Sequence, residues 1–259
     1  MRIAVATRCL HVSLRESIRQ AAESGAQALQ FDARDELPPT SLTETGRRQF
    51  LHQLSERGLR VGSLTFPTRR SYFDEERLDA RVAATRAAME FAWQLQSRVL
   101  TVRIGRIPAD VESKDYLVLR DVLGDLARFG NHVGVTLSIS PSGNSPQELM
   151  DLIQSVKTGP LGLDFDPAAF VSCGQNPVAA FRTVYTVVTH VQARDAVRDA
   201  DGQGIEVALG RGEVDWIELL PLLDEISYPG WVTAIRTQGE DTGEDVLRGV
   251  KFLQQVLTG

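Results

Sequence analysis

Short apolar runs alternate with longer amphipathic stretches along the whole chain. Residues 2–6 read as a first strand. Ser13-Leu14-Arg15-Glu16 then reads as a capping box, and Leu14, Ile18 and Ala21 as the inward stripe of a helix that stops at Gly25. The same alternation places further strands over residues 28–31, 59–64, 99–102, 133–139, 161–166, 187–193 and 231–235. Between them, Phe50, Leu51 and Leu54 stripe a helix ending at Gly58. Leu78, Val82, Met89 and Trp93 stripe a long one, and Leu119, Leu123 and Leu126 another. Ser145-Pro146-Gln147-Glu148 supplies an N-cap, a proline at the first helical position and a capping glutamate. Asn176-Pro177 opens a helix in the same way. Residues 216–226 are helical around Pro221, and Leu247, Val250, Leu253 and Leu257 stripe the last helix. The three tryptophans, Trp93, Trp216 and Trp231, read as core.

Eight strand–helix units follow one another with no linker and no break in composition. Strict alternation calls for a parallel sheet, and eight units in about 250 residues call for closure. The expected fold class is α/β, a single (β/α)8 TIM barrel forming one domain over residues 1–259. The first strand is followed by Thr7-Arg8-Cys9-Leu10-His11 rather than a glycine-rich phosphate loop, which argues against a dinucleotide fold.

Composition narrows the function classes. Apolar residues make up 42% of the 259 and charged residues 24%, enough to build a large core and incompatible with a disordered or collagen-like chain. Lys and Arg number 28 against 34 Asp and Glu, a net charge of −6, so no basic footprint for nucleic acid is expected. Cys9 and Cys173 stand alone and read as reduced thiols. The first apolar run is too short for a signal core, and no run approaches the roughly 20 residues of a membrane span. A cytoplasmic protein with no membrane partner is expected.

A barrel of this kind places its chemistry at the C-terminal ends of its strands. Read in order, those ends carry Arg8, Asp32 with Arg34, Arg69, Arg103, Ser140, Asp166, Gln192 with Arg194 and Asp195, and Ile235 with Arg236. Six arginines against three carboxylates suggest a locally cationic mouth. Each guanidinium is a planar fork suited to carboxylate or phosphate. Asp164 shares its strand phase with Asp166 and lies one layer deeper, where a carboxylate needs a partner; Arg103 and His190 are the candidates. Asp164 and Asp166 are thus the candidate acid/base pair or, alternatively, a satisfied polar network. Asp195 reads as a loop anchor or a site residue. Ser140 and Gln192 are candidate hydrogen-bond donors to a ligand, or simple filler.

Several segments carry a resemblance. Val135-Thr136-Leu137-Ser138-Ile139-Ser140-Pro141, Leu163-Asp164-Phe165-Asp166-Pro167, His190-Val191-Gln192-Ala193-Arg194-Asp195, Leu209-Gly210-Arg211-Gly212-Glu213-Val214-Asp215-Trp216 and Tyr228-Pro229-Gly230-Trp231-Val232-Thr233 occur in this order. Together they resemble the xylose isomerase-like barrel superfamily, in its sugar-phosphate isomerase/epimerase branch. That resemblance implies a divalent metal held by Glu, Asp, His and Glu from four strand ends. Carried over, those ligands fall on Ser140, Asp166, Gln192 and Ile235, and a further family histidine falls on Ala169. Only Asp166 is retained, and an aliphatic side chain cannot ligate. The expectation is a barrel without a tight catalytic metal or other cofactor. It would bind a small anionic sugar derivative through Arg8, Arg34, Arg69, Arg103, Ser140, Gln192, Arg194, Asp195 and Arg236, with metal-free catalysis or none. Two alternatives remain: a non-catalytic partner subunit, and a metal-dependent isomerase using Asp32, Asp164, Asp166 and Asp195. The superfamily's AP-endonuclease branch fits poorly, for want of a histidine-rich cluster. A homodimer is allowed.

Overall fold

All eight predicted strands form, and they close into one parallel barrel. The computed structural model describes residues 1–258. The barrel strands are β1 (Arg2–Ala6), β2 (Ala28–Asp32), β3 (Arg60–Thr65), β4 (Val99–Arg103), β5 (Thr136–Ser140), β6 (Leu161–Phe165), β7 (Val188–Ala193) and β10 (Trp231–Ala234). Closure comes from β1 against β10, with Arg2 opposite Trp231 and Val5 opposite Ala234. Around the outside run α1 (Leu14–Glu23), α2 (Glu44–Ser55), α3 (Leu78–Gln94), α4 (Lys114–Val133), α5 (Pro146–Ser155), α6 (Pro167–Ser172), α7 (Pro177–Val184), α8 (Trp216–Glu225) and α9 (Thr242–Thr258). Among the described residues, no helix is long and apolar enough to cross a membrane.

Period-two alternation gives each strand two chemistries. One set, including Leu29, Phe31, Leu100, Val102, Leu137, Ile139, Leu163, Phe165 and Val191, is fully buried and forms the apolar layer beneath the helices. The opposite set is polar: Gln30, Ser63, Thr101, Ser138, Asp164, His190 and Thr233 are all at most 2% exposed. A barrel interior is more often filled by branched aliphatic side chains. Here a hydrogen-bonded column replaces them, and it leads up to the strand ends.

Local details depart from the expected pattern at identifiable places. Ser13 caps α1 through the Glu16 N–H, but the Glu16 carboxylate turns to Arg19 and Gln20, so the box there is half formed. At Ser145 and Glu148 it is complete. β5 begins at Thr136 because α4 runs on to Val133 and ends at Gly134 in the left-handed region (φ 83°). Asp166 is the N-cap of α6 rather than a strand residue, ahead of Pro167. α3 buries Thr85, Ala88, Met89 and Ala92, which leaves Trp93 53% exposed; it is not core. Trp216 is core, and Trp231 is half-buried. Beyond β7 the chain makes an antiparallel hairpin, β8 (Asp195–Arg198) with β9 (Gly204–Val207), before α8. The pattern of apolar positions did not anticipate this hairpin.

Candidate functional site

The strand ends enclose a cavity of about 560 Å³. Seven of the expected residues lie on its wall: Arg8, Arg103, Ser140, Asp166, Gln192, Arg194 and Arg236. Arg34 and Arg69 are exposed and lie outside the lining, with Arg34 Nη1 donating to the Pro67 carbonyl at 2.8 Å. Asp164 lies beneath the floor and Asp195 behind the wall, both buried.

Asp164 is the hub of the floor. His190 Nδ1 donates to its Oδ1 at 2.7 Å, and Ser140 Oγ and Gln192 Nε2 donate to its Oδ2 at 2.6 and 2.5 Å. Burial pushes this carboxyl up, but His190, Ser140 and Gln192 more than offset it and hold the group below the usual aspartate range. On the other ring edge, His190 Nε2 lies 2.8 Å from Thr233 Oγ1 and 3.1 Å from Ser63 Oγ. Gln30 Nε2 donates to Ser63, and the Gln30 Oε1 is buried with no hydrogen-bond partner. Ser140 and Gln192 therefore spend donors inward, on Asp164.

A second cluster holds the rim. Arg194 Nη1 donates to Asp166 Oδ2 at 2.5 Å and Nε donates to Glu206 Oε1 at 2.9 Å; Nη2 reaches Thr237 Oγ1 at 3.2 Å. Glu206 comes from β9, so the hairpin brings this carboxylate to the rim. Asp166 Oδ1 caps α6 through the Ala169 N–H. Burial raises the Asp166 carboxyl above its ordinary value, and Arg194 only partly offsets it. Asp195 accepts from the N–H groups of Ala196, Gly210 and Val214 at 3.0, 2.9 and 3.2 Å, and so fixes the loop before α8. Arg236 Nε faces Asp245 at 3.2 Å, and its Nη1 is buried without a partner. Arg8 sits 4.0 Å from Asp32. Arg103 is exposed, lines the mouth, and makes no side-chain ion pair among the described residues.

The positions that a divalent metal of the resembled superfamily would use do not fit one. Ser140 is committed to Asp164, the Gln192 amide likewise, Asp166 to Arg194 and a helix N-terminus, and Ile235 is a buried aliphatic. The alternative set fails as well. Among the described residues, no group of three or more His, Cys, Asp or Glu side chains is placed to hold an ion.

With fold and site in place, the comparisons are unambiguous about class. The family profile described as xylose isomerase-like TIM barrel matches residues 18–256, and the chain belongs to that family. It is 26% identical over 167 residues to an uncharacterised protein of Methanocaldococcus jannaschii, a match spanning 59% of this chain and 55% of that one. Among solved structures, the barrel is similar to a xylose isomerase domain protein of Planctomyces limnophilus (TM-score 0.81, 23% identity, 100% of this chain and 94% of that one). It is equally similar to a D-tagatose 3-epimerase-like protein (TM-score 0.81, 19% identity, 100% and 97%). At these identities the structural likeness carries the fold alone.

Sequence reasoning missed Glu206, Thr237 and Gln30. A signal for the first was present: Asp201-Gly202 between Ala196-Val197-Arg198 and Ile205-Glu206-Val207 is a hairpin turn between two β-prone runs.

Proposed function

We propose that this sugar isomerase/epimerase-like barrel binds a small anionic sugar derivative, a sugar acid or sugar phosphate, in its mouth without a divalent metal. The observation that carries this reading is the charge on the cavity wall: four arginines, Arg8, Arg103, Arg194 and Arg236, face one carboxylate, Asp166. Three of the four already have carboxylates behind them, which positions their guanidiniums; Arg103 keeps its charge for a ligand. A charge-assisted contact from Arg103, together with the unpartnered Nη1 of Arg236, suits an oxyanion. The unpartnered Gln30 Oε1 suits a hydroxyl donor on the same molecule. Any proton transfer on the bound sugar falls to Asp166, the one carboxylate that faces the cavity and whose proton affinity is raised.

The test is calorimetric titration with gluconate, glucuronate and ribose 5-phosphate, in EDTA and then in magnesium or manganese. Saturable binding in EDTA supports the reading, and binding only with metal overturns it. Proton NMR in deuterium oxide then reports whether a carbon-bound hydrogen of a bound sugar exchanges, and whether Asp166→Asn abolishes that exchange.

A second reading, a non-catalytic partner subunit, is favoured by exposed apolar side chains at Ile217 (76%) and Trp93 (53%). It predicts no response to any sugar in the titration.

A further inference from the structure

A second and larger cavity, about 920 Å³, opens at the opposite end of the barrel, where the strands begin. Its wall carries Arg2 from the start of β1, Arg60 from the start of β3 and Arg98 just ahead of β4. It carries no aspartate or glutamate. In a chain of net charge −6 this is a local inversion of sign. The contrast with the mouth is sharper still. There Arg194 and Arg236 are held by carboxylates. At the base, the Arg98 side chain donates only to the Gly134 carbonyl at 3.2 Å, and the side chains of Arg2 and Arg60 make no hydrogen bond or ion pair among the described residues. Three cationic side chains thus line one cavity whose wall offers no carboxylate to neutralise them, a field that favours an anion.

The base is also shaped. The Arg2 guanidinium lies 4.6 Å from the centroid of the Trp231 ring, a cation–π contact that holds it over the opening. The indole has its place because Gly62 has no side chain. A Cβ there would come within 3.1 Å of both the indole and Ala28. Leu51 and Leu95 add an apolar side to the same wall.

We propose that this cavity is a binding site for a phosphorylated small molecule with a planar or apolar body. The phosphate takes the Arg2, Arg60 and Arg98 cluster and the body lies toward Trp231, Leu51 and Leu95. A phosphate monoester carries roughly −1.5 to −2 charges and three strong acceptor oxygens, which matches several unpaired guanidinium forks. A monocarboxylate satisfies one. The volume is within the range of about 300–1,000 Å³ usual for small-molecule sites. The inference is independent of the mouth: it concerns different residues at the other end of the strands.

Phenyl phosphate is the probe, added to the intact chain while tryptophan emission and heat of binding are followed. The expected result is saturable binding, with a fluorescence change lost in Trp231→Phe. Affinity read through the Trp231 emission should fall tenfold or more in the double variant Arg60→Gln/Arg98→Gln and stay unchanged in Arg34→Gln, whose exposed side chain lines neither cavity. Benzoate at matched ionic strength should bind at least tenfold more weakly. Arg60 and Arg98 are exposed, so the double variant is expected to melt with the parent; Arg60→Gln alone serves if it does not. Absence of saturable binding at millimolar probe overturns the proposal. So does equal weakening by the base variant and Arg34→Gln, or equal binding of benzoate. Sugar-acid binding read through Arg103 tests the mouth separately.

Discussion

His190 Nδ1 lies 2.7 Å from Asp164 Oδ1, and both side chains are 1% exposed. This pair sits inside the barrel, beneath the cavity floor, and its carboxylate also fixes Ser140 and Gln192. Its geometry is that of a network that sets the orientation of the floor. Asp164 has no open face toward a substrate.

Asp164→Asn is therefore expected to act first on stability. The amide removes the charge that His190, Ser140 and Gln192 all address, and turns one acceptor into a donor facing donors. Leaving donors buried around a lost carboxylate unsatisfied costs about 1–3 kcal/mol, towards the upper end for a charged acceptor. Urea denaturation at pH 7 should show the midpoint falling without a change in slope.

The same residue sets part of the pH dependence. Its carboxyl titrates below the usual value in the folded chain, after burial is offset by its three donors. A carboxyl lowered on folding contributes stability above its unfolded pKa, about 3.9 for aspartate. That contribution is lost as pH falls through the folded value. Asp166 works in the opposite sense: its raised carboxyl contributes stability at low pH that is lost as pH rises. The clean measurement is the difference between parent and Asp164→Asn. The stability gap between them should narrow as pH is lowered from 7 towards 3, and a gap that stays constant contradicts this assignment.

Much of this architecture was legible because barrel strands and helices differ in hydrophobic period. Caps such as Ser145-Pro146-Gln147-Glu148 mark helix starts within a residue. The face of α3 was legible only in part: of the expected stripe, Met89 is buried and Val82 packs half-buried against the core, but Trp93 is 53% exposed. Thr85, Ala88 and Ala92 complete the buried face together with Phe91, and these small residues gave no contrast with the alanines on the other faces. At the site, the phase argument put Asp164 one layer below Asp166 with Arg103 or His190 as its partner, and the side chain it meets is His190. What it could not give was where each arginine side chain ends. Arg34 and Arg69 leave strand ends much as Arg103 does, yet only Arg103 lines the cavity. Glu206 was hidden because its hairpin lies outside the strand–helix repeat.

That hairpin is tied to the barrel through Arg194. Burial raises the Glu206 carboxyl, but Arg194 and Thr237 more than offset it, so the group sits below its ordinary value. Glu206→Gln should cost about 1–2 kcal/mol. Amide hydrogen exchange should rise over residues 195–207 while the barrel strands stay protected. In the parent, the same loosening should appear only below the ordinary glutamate range, as pH falls through the lowered folded value and the carboxylate is neutralised. Unchanged exchange in the variant would show the hairpin to be held by its own ladder instead.

Arg103 and Arg34 make a matched pair for the mouth. Both are exposed arginines near strand ends, but one lines the cavity and the other donates to Pro67. Arg103→Gln should weaken sugar-acid binding about tenfold, the loss of roughly 1.4 kcal/mol from one charge-assisted contact. Arg34→Gln should leave affinity unchanged. Equal effects of the two would indicate a diffuse field rather than a contact.

Gly162 gives a test of how tightly the polar column is packed. A Cβ on Gly162 would fall 2.0 Å from Thr189 Oγ1 and 2.5 Å from Thr189 Cγ2. Thr189 Oγ1 is also 2.8 Å from Ser138 Oγ, so it is held on both sides and cannot swing away without breaking that hydrogen bond. Gly162→Ala should therefore destabilise by about 1–3 kcal/mol, the usual range for overpacking a core. Thr189→Ala alone leaves Ser138 without its hydroxyl partner and should cost about 1 kcal/mol. The double variant removes both offending atoms and leaves only the Thr189 Cβ, 2.8 Å from the new methyl. Contact between the two sites makes their effects non-additive, so the double variant should be more stable than the sum of the single losses predicts. Strict additivity in a thermal or urea cycle would mean that the backbone of β6, not the Thr189 side chain, excludes a methyl at this position.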